Sequence, residues 1–279
     1  MYDAVSPSDA PALQRAVGEL RVELRARDGR TVLDGLRQAG CLKARFPRPE
    51  DAAWLNIVTL NTSGGIAGGD ALDSTFVVGA GAQTTIAAQA AERFYRALPQ
   101  SAASSVRTRI AVAAGGAAEW LPQETILFDQ VRLRRSIDVD LAPDASLLLA
   151  EGVIFGRSAM GETVLDGHFS DRWRVRVDRT LVFAESVLLD GAIARRLARQ
   201  AVAGEAVAIA SVLKIPGDDK VVAAVRAMEK DFAGEVGVSA WNGLAVARLV
   251  ASDGAALHHD LIGVLTALGG MPLPRLWLN

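Results

Sequence analysis

A single cysteine, Cys41, excludes an internal disulfide framework. The three histidines, His168, His258 and His259, have no partner at zinc-ligand spacing, which excludes a locally assembled zinc or iron–sulfur site. His258 and His259 are expected on the wet side of a helix. No apolar run reaches the ~18 residues that a membrane helix needs. The first residues, with Asp3, Ser6, Pro7, Ser8 and Asp9, form no charged-then-apolar leader. Together these absences predict a cytoplasmic chain. Charge of one sign is also missing: the formal net charge is −2 and the basic residues are scattered, so nothing draws the whole chain to nucleic acid or to an anionic membrane. Lysine is scarce, 4 residues against 26 arginines. Arginine suits bidentate contacts to carboxylates at interfaces, although a compositional bias that also enriches Ala and Gly explains the excess more simply.

What is present is a globular composition, 50% hydrophobic and 22% charged, able to bury a sizeable core. No repeat, low-complexity linker or charge block marks a boundary. A single domain over residues 1–279 is therefore expected, with 1–17 as a flexible N-terminal segment. Period-two alternation dominates up to about residue 190. Leu20, Val22, Leu24 and Ala26 alternate with Arg21, Glu23, Arg25 and Arg27, and the pattern recurs around Val106–Val112, Ile137–Leu141 and Trp173–Val177. One wet face per strand predicts antiparallel pairing. Turn signals lie between the runs at Asp28-Gly29, Gly115-Gly116, Pro143-Asp144, Gly161 and Asp166-Gly167. Helical spacing appears in 218–232, behind Asp218 or Asp219, and in 253–268, behind Ser252 or Asp253. Residues 241–250, WNGLAVARLV, read as one buried strand, and 190–203 fit either a helix or an irregular edge.

Chemistry is harder to find. The stretch NTSGGIAGGD (61–70) lacks both the lysine of a phosphate loop and the G-x-G-x-x-G order of a dinucleotide loop. Its glycines, Gly64, Gly65, Gly68 and Gly69, are read as allowing positive φ or close backbone approach in a tight crossover. Ser63 sits in no nucleophile elbow. Acids among apolar neighbours remain: Glu119, Glu124 and Asp129 in 118–135, Glu151 after Leu147–Ala150, and Asp70 at the end of the glycine loop. Buried unpaired carboxylates are costly, so these either pair with arginines at the surface or face a hydrated interior or a partner. The C-terminal stretch PLPRLWLN exposes Leu276, Trp277 and Leu278 unless it docks on a partner or packs back on the core.

Five blocks, NTSGGIAGGD, TTIAAQAAERFYR (84–96), EWLPQETILFDQVRLRR (119–135), LLLAEGVIFGRSAMGE (147–162) and WNGLAVARLV through LPRLWLN (273–279), together resemble the urease accessory protein UreD family, also called UreH. Ala87-Ala88 vary mildly from the family's T-T-Q-A-A-E run. The resemblance implies a mainly β fold, a helical β-structure of many short strands with about two α-helices near the C-terminus. It also implies that the chain is no enzyme but a maturation factor. In that role it forms a complex with UreF and the GTPase UreG and docks on the urease apoprotein, so that nickel reaches the urease active site. An internal water-filled nickel route is implied as well, for which Asp70, Glu119, Glu124, Asp129 and Glu151 are the candidate lining acids. Carboxylates hold Ni²⁺ less tightly than an imidazole or thiolate set, so transient nickel and no tightly bound cofactor is the expectation. The rival is an independent β-rich hydrolase using paired carboxylates as acid and base.

Overall fold

The computed structural model describes residues 14–48, 51–157, 160–269 and 272–278. Most of the proposed N-terminal segment, residues 1–13, lies outside them. The first two strands, β1 (Val17–Arg27) and β2 (Arg30–Gly40), form an antiparallel hairpin. Asp28 and Gly29 both take positive φ, 50° and 72°, as a two-residue turn between right-twisted strands requires. After β3 (Leu42–Arg45) and β4 (Trp54–Asn61) the chain begins to coil. Strands β5 (Ala71–Val78), β8 (Ser104–Val112), β11 (Arg132–Leu141) and β13 (Gly167–Val177) fall successively into one sheet. Strands β6 (Gln83–Ala88), β9 (Ala117–Leu121) and β12 (Ser146–Phe155) follow β4 in the other. The short β7 (Glu92–Phe94) and β10 (Thr125–Leu127) form a third side, joined to the end of β12.

Neighbouring strands within the coil pair in parallel, which corrects the antiparallel pairing expected from alternation. Parallel strands usually lose their alternation because helices cover both faces. Here the outer face of the first sheet is bare, so each strand keeps one wet side. Antiparallel strands close the ends. β14 (Thr180–Gly191) returns along β13, and β15 (Ala208–Ile215), β17 (Leu244–Ala251) and β16 (Glu235–Trp241) extend the second sheet beyond β12. Residues 241–250 are therefore not one strand: Asn242 and Gly243, at φ 48° and 78°, form the hairpin turn between β16 and β17.

Between the sheets lies the main core. Val22, Phe76, Ile110, Val139 and Val175 occupy one lateral row of the first sheet and are all buried. A second apolar cluster covers the other side of the second sheet, where α2 (Asp219–Arg226) and α3 (Gly254–Leu268) pack on Leu148, Val212 and Leu249. Asp218 caps α2 through the amides of Lys220 and Val221, and Asp253 caps α3 through Ala256. The helical stripe expected to continue to 232 stops at Arg226 and gives way to a 3-10 turn at Glu229–Asp231. Just beyond it, the buried Asp260 of α3 accepts the amides of Ala233 and Gly234 and fixes the exit. The ambiguous 190–203 segment contains the five-residue helix α1 (Ile193–Leu197) followed by turns. No helix among the described residues is long and apolar enough to cross a membrane.

Candidate functional site: a buried charge cluster at the floor of an interior cavity

One inward row of the first sheet breaks its apolar character. Leu72, Val106, Arg135 and Asp171 stand side by side on β5, β8, β11 and β13. The Arg135 guanidinium donates to Asp171 Oδ2 at 2.6 Å, to Thr125 Oγ1 at 3.0 Å and, across the gap between the sheets, to Glu151 Oε2. Trp120 Nε1 donates to the other Glu151 oxygen at 2.8 Å, and Trp173 Nε1 to Asp171 at 3.3 Å. All three charged side chains are buried. Burial works against the arginine's charge, but Asp171 and Glu151 overcome it and hold Arg135 protonated beyond its usual range. Burial, with the like charge of Asp171, pushes Glu151 up although Arg135 opposes it. Two carboxylates around one guanidinium leave the cluster one negative charge in excess when both are ionised.

Arg135 and Glu151 of this cluster form the floor of a cavity of about 290 Å³. Its walls include Ser74, Thr108 and Trp120, and its mouth lies among the exposed lining residues Gly64, Gln89, Ala90 and Arg93, next to Asn61 and Glu92. Gly64 and Gly65 have φ of 78° and 139°, and a Cβ on Gly65 would stand 2.4 Å from the Tyr95 ring. Gly68 packs against Ala97 and Ser101 with no room for a Cβ. Tyr95 donates its hydroxyl to the Gly64 carbonyl at 2.7 Å, and Ser63 donates to Asn61 Oδ1 at 2.6 Å, so the loop is fastened beside the mouth. Half-buried Glu92 accepts from Asn61 Nδ2 at 3.2 Å through both oxygens. Burial pushes its carboxyl up to about 7 despite that bond.

The five candidate acids do not converge. Glu151 alone of them lines this cavity. Asp70 is buried at the crossover, where one oxygen accepts from Ala16 and the other from Ala67, both backbone amides at 2.8 Å. Asp129 accepts the amides of Leu165 and Asp166. Glu119, next to inward-facing Trp120, points to the opposite side of the second sheet, where Thr85 donates to it at 2.8 Å. Glu124 meets His258 of α3, Oε1 to Nδ1, at 2.6 Å. No group of three or more His, Cys, Asp or Glu among the described residues is placed to surround a metal ion. Toward the cavity the chain presents carboxylate, amide and hydroxyl groups together with the guanidinium groups of Arg93 and Arg135; the oxygen donors are hard ligands that would leave a divalent cation labile.

His258 is not on the wet side of its helix as expected. Its Nε2 lies 3.1 Å from the Trp277 carbonyl and its ring stacks on the Trp277 indole at 5.3 Å. Trp277 is only 1% exposed and donates Nε1 to the Leu121 carbonyl at 3.0 Å, while Gln123 donates to Leu276. The tail packs back on the core; of Leu276, Trp277 and Leu278, it is Leu278, 63% exposed, that is left outward.

The cavity and its acids gain context from relatives. Residues 16–278 match the family model described as UreD urease accessory protein. The chain belongs to the UreD family. It is 50% identical over 268 residues to the urease accessory protein UreD of Rhodopseudomonas palustris strain BisB18, covering 96% of each chain. It is 47% identical over 276 residues to UreD 3 of Bradyrhizobium sp. strain BTAi1, covering 99% of this chain and 98% of that one. A urease accessory protein is not itself an enzyme, and the hydrolase alternative falls. Glu151 and Asp171, the two carboxylates that the cluster brings together, are both engaged by Arg135. The residues that sequence reasoning missed are Arg135, Asp171, Trp120, Glu92 and His258. Two of them left a signal: Arg135 is in phase with Leu133 and Ile137, and Asp171 with Phe169 and Trp173, which places both inward.

Proposed function

We propose that the chain works in the cytoplasm as a scaffold for urease maturation, joining UreF and UreG to the urease apoprotein and giving nickel an acid-lined interior passage. Family membership over nearly the whole chain carries the accessory role. The cavity that ends on Glu151 supports the passage, because carboxylates at its mouth and floor attract a divalent cation without the nitrogen or sulfur ligands that would hold it. In this reading Glu151 and Glu92 serve the route. Asp70, Glu119, Glu124 and Asp129 maintain its walls through the bonds described above. A scaffold that never touches metal is the second reading, favoured by the way Arg135 and Trp120 between them engage both oxygens of Glu151. Deleting the gene from the organism that makes the protein tests the role. Urease activity in nickel-replete medium should fall and return when the chain is resupplied; unchanged activity contradicts the proposal.

A further inference from the structure

The bare outer face of the first sheet carries a charge pattern that the cavity does not use. Arg107 and Arg109 on β8, Arg134 on β11, and Arg172, Arg174 and Arg176 on β13 all turn away from the core. Register sets them side by side: Arg107, Ser136 and Arg172 form one lateral row, and Arg109, Asp138 and Arg174 the next. Four acids are interleaved, Asp73, Asp138, Asp140 and, toward α1, Asp190 of β14, whose carboxyl is held below its usual range by the His168 hydrogen bond and by the nearby charges of Arg196 and Arg132. Asp73 pairs with Arg109 at 2.6 Å and lies 3.6 Å from Arg107, and Arg176 lies 3.8 Å from Asp138 and 3.9 Å from Asp140. Arg134, Arg172 and Arg174 have no carboxylate partner among the described residues. Past β14, the short helix α1 adds the exposed Arg195 and Arg196, with Arg199 just beyond, around a shallow concavity.

Unpaired arginines gathered on one face of a chain whose net charge is −2 make a local positive field that attracts an opposite surface. Arginine rather than lysine presents the planar fork that takes carboxylates bidentately. Leu188 and Leu181 on β14, 58% and 48% exposed, add apolar contact at the rim, as protein interfaces do. A nucleic acid or an anionic membrane fits less well. Asp138 and Asp140 stand in the middle of the patch and would oppose a continuous run of phosphates, whereas a protein surface of mixed sign with acids in excess can match both signs.

We propose that the outer face of β8, β11 and β13, with α1 at its rim, docks an acidic face of a folded protein, and that this protein is the urease apoprotein. The choice of urease rests on the function proposed above; the acidic character of the partner's face rests on the arginines alone. The test uses the full chain and immobilised nickel-free urease, with binding measured at about 50 mM and about 300 mM salt. A variant carrying R134E, R172E and R174E should bind about tenfold or more weakly at the lower salt and lose most of the salt dependence. A control carrying K220E and K230E, on the helical side, should bind as the unaltered chain does. Single R172E and R174E variants, each expected to weaken binding, serve where the triple variant melts early. Equal binding by the unaltered chain and the folded arginine variants overturns the docking face. Failure of the unaltered chain to bind urease at either salt instead contradicts the urease reading and removes the occupant named here. Tighter binding to mixed-sequence duplex DNA than to urease, lost in the same variants, overturns the protein partner in favour of nucleic acid.

Discussion

Arg135 and Asp171 are opposed register partners on parallel strands, and their 2.6 Å contact is buried between the two sheets. A charge pair in that position adds little net stability when complete, because desolvation offsets the attraction, but removing one member leaves the rest uncompensated. Replacing Arg135 by Met would leave Glu151 and Asp171 facing each other. The expected loss is about 3–5 kcal/mol at neutral pH, read from urea unfolding. It should shrink as falling pH protonates Glu151, whose carboxyl burial already pushes up. A loss below about 1 kcal/mol would show that the cluster is not the closed charge set described.

Glu92 titrates in the opposite sense from a salt-bridged acid. Its folded value, about 7, stands above the ordinary 4.5, so the folded chain binds this proton more tightly than the unfolded one. The cost of ionising it is absent below about pH 4.5, grows up to about pH 7 and is complete above that. At most it amounts to about 3 kcal/mol. Glu92→Gln should therefore melt higher than the unaltered chain at about pH 8 and show little difference at about pH 4, where both are uncharged at this position. Identical shifts at both pH values would place the effect elsewhere.

How far the sequence revealed these features depends on the range of the interaction. Strand alternation, the caps Asp218 and Asp253 and the Asp28-Gly29 turn are local and were legible. Asn242-Gly243 carried a signal that the single-strand reading of 241–250 passed over, since an Asn-Gly pair between apolar runs marks a hairpin. Parallel pairing was not, because alternation reports only that one face is wet. The inward phase of Arg135 and Asp171 could be read by counting residues in twos, but their meeting with Glu151 depends on strands brought together by the coil. The bond between Glu124 and His258 joins residues 134 apart and depends on how the tail folds back. Nothing in either segment alone announces it.

The tail is the second structural test. Trp277 fills a buried site against Leu121 and stacks on His258. Trp277→Ala should cost about 3–5 kcal/mol in thermal or urea unfolding. His258→Ala should cost less, about 1–3 kcal/mol, by leaving the buried Glu124 without its partner. A Trp277→Ala protein as stable as the unaltered chain would mean that the tail is not docked.

The most direct measurement is nickel-dependent activation of purified urease apoprotein with UreF and UreG, with and without this chain, and with its Asp70→Asn and Glu151→Gln variants, while binding to UreF is followed in parallel. Activation should require the chain. Glu151→Gln should lower activation with the UreF complex intact, and Asp70→Asn, which weakens the crossover rather than the cavity, should act through stability. Full activation by the Glu151→Gln protein would leave a scaffold without a metal route. Full activation with the chain omitted would contradict the accessory role itself.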